Sequence, residues 1–244
     1  LVVCAGAWLL WRDEPDGAGP APEAPEPLEA AIARLNDAAP DHGFEPLAGA
    51  WRLALPADHG GHDEARMETW IVSAHLEDAE GRPLGVHFAL SRYGIRRNAR
   101  DAAASAWDLR AIHRGHVAVV AGGDAAASTQ VRFSRGAVGS AGHDNERGEV
   151  WLDDWSLSFD PAEGDGPLRI EAEARGEPLR LVLTPVKPPL AAVGEAGAPL
   201  RGFSIPRLTV RGALGEGEAR RDLSGTAWLD RAWGELPLPG AGPV

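Results

Sequence analysis

Cysteine is almost missing from this chain. Cys4 is the single one in 244 residues, so no disulfide can form within it. That count neither requires nor excludes an oxidising compartment. Lysine is equally scarce, with Lys187 standing alone against a full complement of arginine. Together with abundant Ala and Gly, this preference reads as genomic composition rather than function. Positive charge is short overall: 24 Lys and Arg face 36 Asp and Glu, a net charge of −12. The arginines are scattered along the sequence. A chain so charged lacks the basic face that nucleic-acid phosphates require. Several catalytic signatures are missing too. There is no phosphate loop, no dinucleotide fingerprint and no heptad run. Gly139-Ser140-Ala141-Gly142 resembles a nucleophile elbow, but Val138 stands where the first glycine belongs, and no strand-to-helix turn surrounds it.

What is present suits an ordinary globular core, with 44% hydrophobic and 25% charged residues. The length allows one large domain or one and a half smaller ones. Residues 1–11, Leu-Val-Val-Cys-Ala-Gly-Ala-Trp-Leu-Leu-Trp, form an apolar run too short to span a bilayer as it stands. Residues 1–15 therefore read as the remnant of a signal peptide or membrane anchor. This implies an exported protein, periplasmic or anchored facing the periplasm. Residues 16–45 follow as a Pro- and Ala-rich linker and a short helix at 28–35.

From about Phe44 the apolar period becomes two. Strands are predicted at 69–76 and 84–93, joined through a turn with Gly81. Further strands are predicted at 115–121, 129–134, 149–159, 168–174 and 179–184. Residues 168–184 form a second hairpin around Gly176-Glu177 with one wet face. The pattern is all-β, an antiparallel sandwich or barrel. Residues 185–199 are rich in Pro and Gly and read as a joint. Strands resume at 208–211 and 224–229. The predicted division is a first barrel over 46–185, a joint at 186–207, and the first strands of a second barrel at 208–244.

Two acids are framed by tryptophans: Trp151-Leu152-Asp153-Asp154-Trp155, and Trp228-Leu229-Asp230-Arg231-Ala232-Trp233. A carboxylate among indoles can lose solvation, which favours its neutral form. Such a group can donate a proton or simply anchor a fold. On an unbroken strand, Trp151, Asp153 and Trp155 share one face and Asp154 takes the other. Arg231, next to Asp230, can pair with it and keep it ionised.

Asp58-His59-Gly60-Gly61-His62, then Glu68-Thr69-Trp70 and the first hairpin, resembles the opening of the AttH-like, lipocalin-like proteins. This family is often labelled as predicted secreted hydrolases and is related to bacterial carotenoid hydratases. His116-Val117-Ala118-Val119, the segment Arg132 to Ala137, Trp151 to Trp155, and Gly225 to Gly234 resemble its later blocks. Thr69 and Ile71 flank Trp70 where the family usually has larger aromatics, and Ala232 stands where it usually has glutamate. The resemblance implies tandem calycin-like barrels. It also implies that Asp230 acts as an acid protonating a double bond, with Trp228 as its aromatic neighbour. Trp233, Trp70, Trp151, Trp155 and His116 become candidate substrate contacts.

His59, His62, Asp58, Asp63 and Glu64 are possible metal ligands, but their spacing matches no second ligand pair, and a polar turn is the simpler reading. His113 and His116 should face opposite ways on one strand. Arg132 and Arg135 around Phe133 suit either an anionic head group or a solvated rim. No metal and no cofactor is expected. The expected partner is a hydrophobic small molecule. The functional expectation is a hydratase or hydrolase acting on an isoprenoid or lipid-like substrate, the alternative being a periplasmic carrier without chemistry.

Overall fold

The computed structural model describes residues 43–97, 107–122, 127–164, 166–192 and 200–235. The remnant segment, the linker and the short helix predicted before residue 43 lie outside these. The fold is all-β. Twelve strands form one antiparallel sheet among the described residues, in the order β4-β3-β2-β1-β12-β11-β9-β8-β7-β6-β5, with β10 added beside β11. The strands are β1 Met67–Asp78, β2 Pro83–Gly94, β3 Ala111–Ala121, β4 Ser128–Ser134, β5 Ala141–Asp144 and β6 Glu149–Leu152. They continue with β7 Trp155–Ser158, β8 Leu168–Ala174, β9 Glu177–Pro185, β10 Leu190–Ala191, β11 Leu200–Leu214 and β12 Arg221–Gly234. The sheet curls into a nearly closed barrel. Its edge strand β4 is tied across the gap by side chains: Ser134 Oγ meets Ser140 Oγ, just before β5, at 2.7 Å, and Gln130 reaches Glu173 on β8 at 3.1 Å.

Alternation drives this. On β8, Leu168, Ile170, Ala172 and Ala174 are buried, while Arg169 and Glu171 face solvent. On β9, Leu179, Leu181 and Leu183 fill the same core. Each such leucine contributes roughly 1.5–3 kcal/mol of burial. The β8–β9 hairpin turns through Arg175 and Gly176, both at positive φ, as a two-residue turn matching the sheet twist requires. The interior is close-packed where β3 passes Trp155. A Cβ on Gly115 would lie 2.8 Å from that indole, closer than atoms tolerate.

Two sequence expectations change. The run 149–159 is not one strand: it turns at Asp153-Asp154, with Asp153 at φ 54. Aspartate tolerates this left-handed conformation because its short side chain is compatible with tight turns. Trp151 and Trp155 therefore end up on different strands; Trp155 is buried in the core, while Trp151 is half-buried and donates Nε1 to Gly139 O at 2.9 Å. The second change is larger. Residues 208–234 do not begin a separate sheet. β12 pairs with β1 along its whole length, Met67 opposite Gly234 and Asp78 opposite Leu223. β11 pairs with β9 on its other side. The late strands thus complete the first barrel. The Pro-rich stretch after β9 returns the chain to the same sheet, and Pro206 sits in a register shift of β11 where its missing N–H does no harm.

Candidate functional site

β12 carries chemistry on both of its faces. Alternation sends Leu229, Arg231 and Trp233 inward, and Trp228 and Asp230 outward.

The inward face builds a charged network at one end of the barrel. Arg231 and Glu68 are both completely buried and form an ion pair. Arg231 also donates to Gly60 O at 2.6 Å and Ala232 O at 2.8 Å, and its guanidinium lies 4.0 Å from the Trp70 ring and 5.0 Å from Trp233. The other oxygen of Glu68 accepts Arg92 Nε at 2.9 Å, and Arg92 Nη2 reaches Ala65 O at 2.7 Å. His62 stacks on Trp233 at 4.1 Å and bonds Asp58 at 3.3 Å. Its backbone N–H donates to Glu68 at 2.9 Å. The Gly60-Gly61 pair lets this loop lie flat: a Cβ at Gly61 would collide with the His143 ring, and Gly61 N donates to Asn145 Oδ1 at 2.8 Å. Trp70 closes the loop by donating to His59 O at 2.8 Å.

Electrostatics keeps this network charged. Burial alone would raise Glu68, but Arg231, His62 and Arg92 hold its carboxyl far below the usual carboxylate range. Asp58 is likewise lowered, its bonds to His62 and to the Ala54 N–H outweighing burial. Burial pushes down on His62 too, yet its bonds to Asp58 and Glu68 win and raise it. His59 is driven down to about 4 by burial and by Arg231. Carboxylates fixed in this way do not donate protons. The arrangement is a plug that ties the loop at 57–66 to β1, β2 and β12. Among the described residues, no group of three or more His, Cys, Asp or Glu is placed to hold a metal ion.

The outward face is different. Asp230 is exposed, and its Oδ1 accepts Trp228 Nε1 at 2.7 Å and the Ser204 hydroxyl. Both bonds fall on one oxygen. Trp228 is 42% exposed. Register places Asp230 opposite Ile71 on β1, Ile71 opposite Ala89 on β2, and Ala89 opposite His116 on β3. One row along, Trp228 stands opposite Ser73, and Ser73 opposite His87. Ser73 Oγ lies 3.3 Å from His87 Nδ1, and the His87 and His116 rings are 5.2 Å apart. Burial, reinforced by Arg114, lowers both imidazoles. Asp230 thus stands three strand spacings, roughly 14 Å, from His116, and Trp228 two spacings, roughly 10 Å, from His87, with half-buried Ile71 and buried Ala89 between.

Asp230, Trp228 and His116 therefore share one face. Trp70, Trp155 and Trp233 lie inside, their rings engaged with core atoms and guanidinium groups, and Trp151 lies near Gly142. Arg231 does not reach Asp230. Arg132 pairs with Asp154 and Glu173 and covers Trp155, so it is part of the seam rather than a free cation. Ser73, His87 and Ser204 escaped the sequence reading because their neighbours come from distant strands.

A family model described as AttH-like matches residues 46–242. The solved structure of a candidate AttH protein from Nitrosomonas europaea is 26% identical with a TM-score of 0.68; the match covers 81% of this chain and 60% of that one. Kievitone hydratase from Nectria haematococca shares the fold at 10% identity and a TM-score of 0.53, over 80% of this chain and 58% of the other. The chain thus spans about three fifths of both solved structures. A comparison with curated proteins finds no match.

Proposed function

The chain belongs to the AttH-like family, and from that membership and the outward face of β12 we propose a hydratase-type role on an apolar, isoprenoid-like or lipid-like alkene. The observation that carries the reading is the row Asp230, Ile71, Ala89, His116, with Trp228 beside the acid. An apolar chain laid on Ile71 and Ala89 would cover the carboxyl and remove the water that favours its charged form. The Asp230 carboxyl then gives its proton to one alkene carbon, and the other becomes a carbocation. The exposed indole of Trp228 steadies that charge by cation–π attraction. Water adds its oxygen to the cation, and the proton it sheds returns to the Asp230 carboxylate. Atoms balance with water as the only co-reactant. The structural neighbour named as a hydratase supports this reading through its fold. The apolar run at residues 1–11 supports an exported setting as part of the same proposal.

Close packing beside Trp155 argues for the outer face, rather than the barrel interior at that level, as the place of binding. The test is hydration of a linear polyene in labelled water, followed by mass spectrometry. Wild type should incorporate one oxygen from water. Asp230→Asn should lose turnover by about 10²–10⁴-fold while still binding the polyene. Polyene binding by wild type with no oxygen incorporated would instead support the carrier alternative, and unchanged turnover in the variant would remove Asp230 from the chemistry.

A further inference from the structure

We infer that the cleft between the first residues of β3 and strand β5 binds a small polyanion, a molecule carrying a phosphate group or several carboxylates. The cleft has a volume of about 430 Å³ and opens beside Arg92 and His113, three residues along β2 and β3 from Ala89 and His116 of the Asp230 row. That size suits a small-molecule site, for which about 300–1,000 Å³ is usual. Its lining is cationic, with Arg92, Arg96, Arg97 and Arg110 together with His113 and His143. Asp63 is the acidic member, and it is already 3.4 Å from His143.

This clustering runs against the character of the chain. With a net charge of −12, arginines here have carboxylates to spare. Arg82, Arg132, Arg180, Arg220 and Arg221 take one, while Arg207 and Arg211 take none among the described residues; what sets the cleft apart is that its arginines share one lining. Arg96, Arg97 and Arg110 are exposed and form no ion pair among the described residues. Backbone geometry holds them together: Ile95 N and Arg96 N both donate to Arg110 O, at 2.8 and 3.2 Å. Like charges lining one cleft repel one another, and planar guanidinium forks match phosphate or carboxylate oxygens in pairs. The floor is prepared as well. Arg92 is fixed by Glu68 below it. His113 points inward, its imidazole driven down to about 4 by burial and by Arg92 and His143. A neutral ring there can donate one N–H without adding to the repulsion.

Titration calorimetry with pyrophosphate tests this on the full chain. Wild type should show saturable binding, one ion per chain, weakening as salt rises. Arg96→Gln/Arg110→Gln should weaken it at least tenfold, while Arg207→Gln/Arg211→Gln, which removes the same charge elsewhere, should change it by less than twofold. Both pairs are exposed, so the melting temperature should hold, and NMR should show the His113 titration moving up from about 4 when pyrophosphate is bound. Absence of saturation, or equal weakening by both double variants, overturns the site. Vesicles containing phosphatidic acid supply the other source of phosphate: binding to them that pyrophosphate does not compete away would overturn the small-molecule assignment.

Discussion

Asp230 and Arg231 are consecutive in the chain and lie on opposite sides of one sheet. Asp230 faces out beside Trp228 and Ser204, and Arg231 faces in against Glu68. The strand's alternation separates two carboxylate environments that a linear reading would merge. It assigns the guanidinium to the buried network and leaves the acid on the solvent face, bonded to Trp228 and Ser204.

Glu68→Gln should therefore be a stability mutation. It leaves Arg231 and Arg92 buried without their shared counter-charge, and breaking a buried pair in this way costs about 3–5 kcal/mol. Asp230→Asn, exposed on the other face, should stay within about 0.5 kcal/mol. Urea denaturation of both variants checks the contrast; equal losses would contradict the division of roles.

Acid sensitivity should begin with His59 and His113, both held at about 4, and His59 is the one to test by substitution. Its folded value is about 4 against 6.5 for the free group, so the unfolded chain takes up the proton first. The stability it contributes is present above 6.5 and is lost as pH falls toward 4, at up to about 1.4 kcal/mol per pH unit. Glu68 and Asp58, both lowered, add their own losses at still lower pH, below the unfolded carboxylate values. His62 has the opposite sign: it is raised, so its contribution is full below 6.5 and fades as pH rises through its folded value. Between about pH 7 and about pH 5, wild type should lose more stability than His59→Leu. Parallel losses in the two proteins would show that His59 is not the group responsible.

Gly115→Ala probes the packed level of the barrel. The new methyl would stand 2.8 Å from the Trp155 ring, which is buried and covered by Arg132. Overpacking of this kind costs about 1–3 kcal/mol. A thermal melt no lower than wild type would mean that the indole has room to move.

Period-two patterning made β1, β2, β8 and β9 legible in the sequence, because each buries alternate residues against one core. Gly81 and Gly176 marked their turns correctly for the same local reason. The pairing of β12 with β1 was not legible. It depends on which distant strand supplies the matching edge, and no local period encodes that. For the same reason Glu68, a residue of the opening motif, gave no sign of its bond to Arg231, 163 positions later. The turn at Asp153 was hidden because two aspartates replace the usual glycine. Asp230, Trp228 and His116 could be nominated from motifs, but only the register sets them on a common face with Ser73 and His87.

Because β1 pairs along β12 from Asp78 opposite Leu223 to Met67 opposite Gly234, the barrel cannot shut until nearly the whole described chain exists. On a ribosome, β1 would wait with one edge bare while all the intervening strands emerge. Contacts of such long sequence separation make for slow folding. Glu68 on β1 would meet its partner Arg231 only when this last strand arrives, so the buried ion pair and the closing of the barrel come together.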